Sequence, residues 1–169
     1  MKVLSLWQPW ATLMVIGAKT IETRPPQSIF IKNHRGALLI HATKTWNVDI
    51  LQRLLHDGGD FREMRIALAD AGYTNPSKLP LGAILGSICV FGCGPIAPAD
   101  NKAGWKIELP GTFATSMDVE PRDLPFGDFR AGRLGIISSD ATLFESPIPA
   151  SGKQGLWEFP DNLIPKQFQ

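Results

Sequence analysis

Only two cysteines occur in the 169 residues, Cys89 and Cys93, four apart in a stretch that reads as a strand and its exit. Two are too few for a zinc quartet, and they read as reduced thiols. The three histidines, His34, His41 and His56, lack metal-ligand spacing, so no metal site is expected. An excess of charge of one sign is also missing. Seventeen basic against sixteen acidic side chains leave a net charge of +1, which excludes a global positive field holding a nucleic-acid backbone non-specifically. Any such contact must come from a local patch. Apolar runs are interrupted well short of membrane-spanning length, and residues 1–4 begin no apolar leader segment. A soluble, cytoplasmic chain with no membrane partner is expected. Neither GxSxG nor GxxxxGK[ST] is present, and no repeat or low-complexity tract is visible. No cofactor is expected.

What is there suits one domain: 44% of the residues are hydrophobic, enough for a core at this length. Residues 2–6 alternate as a strand, Pro9 opens a helix over about 9–16, Gly17 stops it, and 19–24 resumes extended before Pro25-Pro26. Residues 36–41 (GALLIH) read as a buried strand. Apolar spacing predicts helices over 49–56 and 60–71, separated by Gly58-Gly59. Residues 83–91 form the longest β-like run, bounded by Pro80 and a turn-rich stretch over 92–98. Residues 99–130 are polar and punctuated by Pro and Gly, and read as an irregular insertion. Short strands are expected at 134–138, 142–145 and 156–159. The pattern is α+β: a mixed or antiparallel sheet, of strand lengths that often close into a small barrel, flanked by short helices.

Within residues 19–24 a period of two puts Thr20, Glu22 and Arg24 on one face and Ile21 on the other. Glu22 and Arg24 become neighbours, and the Lys19 stem can bend back to the same carboxylate. The spacing is equally that of an ordinary surface ion pair. Trp7 and Trp10 offer flat faces on which a heterocycle would stack, and Gln8 an amide to read its edge, though either ring can instead belong to the core. Lys32 and Arg35 sit in a basic loop that meets phosphates or simply faces solvent. His41 and Lys44 mark the exit of the 36–41 strand, where a lone His is more often structural. Lys153 and Gln154 lie between Gly152 and Gly155, in a hairpin turn or beside a ligand.

Four blocks, in order, carry a resemblance: "LSLWQPWA"; G-x-K-x-x-E-x-R as Gly17, Lys19, Glu22 and Arg24; "RGALLIHATK" at 35–44; and "PIPASGKQGLW" at 147–157. Together they resemble the ASCH domain family of the PUA-like superfamily, and are most similar to its bacterial and cointegrator-type members. The resemblance implies a small β-barrel flanked by helices, with Lys19, Glu22 and Arg24 in a cleft beside it and Trp7 and Gln8 as its walls. It further implies a module that binds RNA, another nucleic acid or a nucleoside. A smaller branch comprises amidohydrolases of N4-acetylcytidine that use a Lys, a Thr and a Glu. Lys19 and Glu22 fall on its Lys-x-x-Thr pattern, so a carboxylate stands at the threonine position, and Thr23 has the opposite strand parity. The alternative activity is amide hydrolysis of acylated cytidines with Lys19 and Glu22 as the acid–base pair.

Overall fold

The computed structural model describes residues 1–56, 59, 61–100, 103–109 and 115–166. The strands are β1 (Lys2–Leu6), β2 (Ile21–Arg24), β3 (Gly36–Ala42), β4 (Ala83–Pro98), β5 (Trp105–Glu108), β6 (Ser116–Asp118), β7 (Leu134–Pro149) and β8 (Leu156–Glu158). The helices are α1 (Trp10–Val15), α2 (Val48–Leu55) and α3 (Arg62–Asp70). The sheet runs β2-β7-β4-β3-β1-β8, with β5 and β6 attached at the far end of β4, and it curls into a half-barrel. β1 and β3 are parallel and the other pairs antiparallel.

The curl comes from the two 16-residue strands, β4 and β7, which pair along their length through repeated register shifts. Bulges bend the bulged strand and increase its twist. Between the pairs Ser87–Thr142 and Cys89–Ser139, a single residue of β4 faces Asp140 and Ala141 of β7. Asp140 adopts a φ of 49° there. α1 covers the sheet, and its Met14 and Val15 join Leu4, Leu38, Leu85 and Ile136 in one buried cluster. A second cluster, with Leu13, Leu54, Met64 and Leu68, fastens α2 and α3 to α1. The side chain of Asn47 caps α2 by accepting from the Ile50 N–H at 3.2 Å.

Several expectations need correction. β4 continues through the stretch 92–98, because Gly92, Cys93, Gly94 and Pro95 pair with residues 134–137 of β7 and Ile96 with Ile107 of β5. Neighbouring strands here override the turn propensity of Gly and Pro. The strands expected at 134–138 and 142–145 are one strand interrupted by the Asp140 bulge. The stretch 99–130 is not irregular throughout: it holds β5, β6 and a 3-10 turn at Pro121–Phe126. Ile107 and Leu109 bury themselves against Ile21, Ile96 and Ile137; strands of four and three residues are too short to display a period. Gly58, Asp60 and residues 101, 102 and 110–114 lie outside the described residues. Among those described, no helix is long and apolar enough to cross a membrane.

Gly86 makes the tightest of these strand contacts. A Cβ there would run into the Thr142 carbonyl oxygen and lie 3.1 Å from the Val15 Cβ, so backbone rather than a yielding side chain would have to move. Gly86→Ala is expected to lower stability by about 1–3 kcal/mol, the usual range for overpacking, read as a lower urea midpoint.

Candidate functional site

The site is built upward from the edge strand β2. Alternation sends Ile21 into the apolar cluster and leaves Glu22 and Arg24 on the opposite face. Gly17, at a φ of 78°, ends α1 and lets the chain turn so that the Lys19 N–H donates to the Leu13 carbonyl at 3.0 Å. The Lys19 side chain is 1% exposed. Its Nζ donates to the Ile21 carbonyl at 2.5 Å and the Phe126 carbonyl at 2.8 Å, and stands 3.4 Å from Glu22 Oε2. Three acceptors match the three protons of an ammonium. Burial pushes Lys19 below the ordinary lysine value, while Glu22 and the buried Asp123 pull it back up. Asp123 in turn accepts from the Thr20 hydroxyl at 2.7 Å.

Glu22 Oε1 lies 3.0 Å from Arg24 Nε, and Arg24 Nη2 donates to the Ser5 carbonyl at 2.9 Å. Lys19, Glu22 and Arg24 thus form one row between the 3-10 turn at Phe126 and the end of β1. They line the floor of an open cleft of about 1390 Å³. Trp7, 51% exposed, and Phe30 stand at its lip. Further in, Trp10 meets Phe61 edge-on at 6.2 Å between ring centres, and the Arg53 guanidinium lies 4.6 Å from the Phe61 ring centre.

The opposite wall is the segment joining β7 to β8. A Cβ on Gly152 would run into the His41 ring and come within 3.0 Å of Ser5 Oγ, so only glycine lets this segment lie so close. Ser5 Oγ donates to the Lys153 carbonyl and accepts from Trp157 Nε1, both at 3.1 Å. His41 Nε2 is 3.1 Å from the Ala150 carbonyl and must carry its proton toward that acceptor, which leaves Nδ1 as a buried acceptor without a partner among the described residues. Burial holds His41 below the ordinary histidine value, so the ring is neutral near pH 7.

Of the residues expected from sequence, the cleft gathers Trp7, Trp10, Lys19, Glu22, Arg24, His41, Lys44, Lys153 and Gln154. Gln8 is not a wall. It is fully buried: its Oε1 accepts from the N–H and hydroxyl of Thr12 at 3.1 and 3.0 Å, and its Nε2 donates to the Pro80 carbonyl at 2.8 Å. Lys32 and Arg35 are exposed ahead of β3, at the end away from His41, and Arg35 Nη1 folds back onto the Lys32 and His34 carbonyls. Sequence reasoning missed Ser5, Arg53, Phe61, Asp128 and Arg133, all of which line the cleft. Phe61 was legible only as an apolar helix position. Asp128 and Arg133 carry no periodic signal, because hydrogen bonds to distant or irregular segments place them: Asp128 N–H donates to Thr23 Oγ1 of β2 at 3.0 Å, and Arg133 Nε donates to the Asp128 carbonyl at 3.1 Å. Among the described residues, no three His, Cys, Asp or Glu side chains gather to hold a metal ion.

The family model of the ASCH domain matches residues 4–124, which contain the end of β1, all of β2 to β6 and the whole Lys19–Glu22–Arg24 row. No curated protein matches the chain.

Glu22→Ala would leave Lys19 as a buried cation without its carboxylate. A loss of about 3–5 kcal/mol is expected, the range for breaking a buried pair by removing one partner, and an unchanged thermal midpoint would contradict it. Asp128 gives a pH signature. Its hydrogen bonds from Arg130 come first among the causes that hold its carboxyl at about 2 against an ordinary 3.8. Because the folded value is the lower one, this stabilisation is fully present above about pH 4 and is lost as pH falls through about 2. Asp128→Asn should flatten that acid limb of the stability–pH curve.

Proposed function

The chain belongs to the ASCH domain family, and from that premise we propose that its cleft binds a nucleobase, carried by RNA or by a free nucleoside. The observation that carries this reading is the fixed pair on the floor: Glu22 and Arg24 side by side, 3.0 Å apart, beneath aromatic walls. A carboxylate accepts N–H donors and a guanidinium donates to ring nitrogens or carbonyls, and the edge of a base presents both kinds of group next to each other. Trp7 and Trp10 supply faces for stacking, worth roughly 1–3 kcal/mol per base. Lys19 is a positioning residue in this reading. Its three protons point to acceptors within the protein, so it orients Glu22 rather than touching the ligand.

A second reading, amide hydrolysis of an acylated cytidine, is favoured by one observation: burial lowers the Lys19 pKa beside Glu22, the direction a general base requires. Against it stand the three acceptors around Nζ and the carboxylate at the threonine position. The test is calorimetric titration with the four common nucleosides and with N4-acetylcytidine, with acetate release followed in parallel. Binding without hydrolysis is expected. Glu22→Gln, checked for retained fold by circular dichroism, should weaken binding about tenfold or more, given the roughly 1–3 kcal/mol of one bidentate base contact. Undiminished affinity would reject the base-reading role of Glu22. Hydrolysis by the unmodified protein that vanishes in a folded Lys19→Met variant would establish the enzymatic reading instead.

A further inference from the structure

We propose that His41 is a proton-operated latch on the wall of the cleft: as the neutral imidazole it lets residues 151–155 close over its ring, and on taking a proton at Nδ1 it forces them off and opens the side of the cleft that carries Lys153 and Gln154. The latch acts on the protein itself, whatever ligand the cleft takes.

His41 is 1% exposed and stands opposite Ser5 of the parallel strand β1. Its Nε2 proton is committed to the Ala150 carbonyl at 3.1 Å, so the remaining polar atom of the ring is Nδ1, buried and without a partner among the described residues. Gly152 covers that atom. A Cβ on Gly152 would lie 2.7 Å from Nδ1, which leaves no room for a water between backbone and ring. Ser5 Oγ borders the same point at 3.0 Å, but it already donates to the Lys153 carbonyl and accepts from Trp157 Nε1, both at 3.1 Å. Trp157 packs edge-on against the imidazole, with 5.7 Å between ring centres.

A second proton turns Nδ1 from an acceptor into a donor. In the closed wall that N–H would face the Gly152 backbone, and the imidazolium would be a buried charge without a counterion. The charged groups around it have the wrong sign or are engaged elsewhere. Lys44 lies beyond the end of β3, Lys153 on the segment itself, and Arg24 of β2 reaches the Ser5 carbonyl. Glu22 is held by Lys19 and Arg24, and Glu158 of β8 by Lys2 of β1. Asp140 and Glu145 of β7 are exposed, and β4 carries no charged side chain, its Cys89 and Cys93 lying toward the far end. Burial accordingly pushes His41 below the ordinary 6.5, and Lys44 adds to this, against the Ala150 carbonyl.

The segment is lightly held. Residues 151–154 are exposed and without regular structure, between the Ala150 N–H, which donates to the Gly82 carbonyl at 3.0 Å, and the pairing of β8 with β1. Segments with few backbone hydrogen bonds open at low free-energy cost. Because the closed state has the lower value and a solvated imidazole titrates near 6.5, the wall is closed above that pH. Below it the open-to-closed ratio rises by up to about tenfold per pH unit, until the closed-state value is reached.

The experiment follows the isotope-labelled protein by NMR as pH is lowered, with core methyl signals reporting that the fold persists. Nitrogen shifts of the His41 ring should show the Nε2–H form at neutral pH and a titration midpoint below 6.5. The amides of residues 151–155 and the Trp157 indole N–H should move with that same midpoint. Solvent exchange of the indole N–H, corrected for its intrinsic pH dependence, should rise by up to about tenfold per pH unit. His41→Gln keeps a donor for the Ala150 carbonyl and cannot titrate, so the segment should stay closed throughout. Gly152→Ala puts a methyl against the ring, so the segment should stand open at neutral pH and the His41 midpoint should rise toward 6.5; should His41→Gln fail to fold, this variant alone decides. A ring that titrates while the segment stays in place, its proton taken up by Ser5 Oγ, overturns the latch. So does a pH response of the segment that survives His41→Gln, a His41 midpoint unmoved by Gly152→Ala, or a ring that stays neutral until the whole protein unfolds.

Discussion

The buried ammonium of Lys19 is the constraint on which the site depends. A lone cation in the interior would be untenable, and each partner that compensates it ties down a different part of the chain. The Ile21 carbonyl belongs to β2, the Phe126 carbonyl to the 3-10 turn more than a hundred residues later, and the Glu22 carboxylate to the cleft floor. Glu22 passes the constraint to Arg24, and Arg24 to the Ser5 carbonyl at the end of β1. A continuous polar row therefore links β2, the 3-10 turn and β1, elements that the sheet ladder alone does not join. Its geometry is determined from both ends, which is what a recognition surface needs if it is not to reorganise on binding.

The division of labour along that row follows from saturation. Lys19 has given all three protons to the protein, so of the three residues in the row it is the least available to a ligand. In the base-binding reading proposed above, recognition passes to the carboxylate and guanidinium it orients. The walls obey a steric counterpart of the same rule. Gly152 allows the segment after β7 to close on His41 and Ser5, and the hydroxyl of Ser5 holds both the Lys153 carbonyl and the Trp157 indole. The walls are thus held by hydrogen bonds within the protein, His41 Nδ1 excepted, and the groups facing outward at the rim include Trp7, Lys44 and Lys153.

Much of this was legible before any coordinates. Period-two spacing placed Glu22 beside Arg24 and Ile21 behind them, helical spacing found α1, α2 and α3 to within two residues, and the G-x-K-x-x-E-x-R block led to the family. These are local properties: alternation, apolar period and a stop at Gly17 act over a few residues and leave their mark in order along the chain. The same local signals could not separate a surface ion pair from a buried one, because exposure is decided by what packs above the strand.

What only the tertiary structure decided is accordingly everything that depends on distant partners. The Phe126 carbonyl made Lys19 internal, the Pro80 carbonyl and Thr12 took the Gln8 amide out of the cleft, and the return of the chain on itself left Lys32 and Arg35 outside it. Asp128 and Arg133 entered through hydrogen bonds to the Thr23 hydroxyl and to each other, which no spacing announces. The strand in 92–98 formed against Gly and Pro propensity because β7 and β5 flank it. The sequence by itself determined which residues share a face and which type of fold they build. Burial, and with it the difference between a surface charge and a cleft floor, was decided by contacts between segments a hundred residues apart, where side-chain type carries no record of the partner.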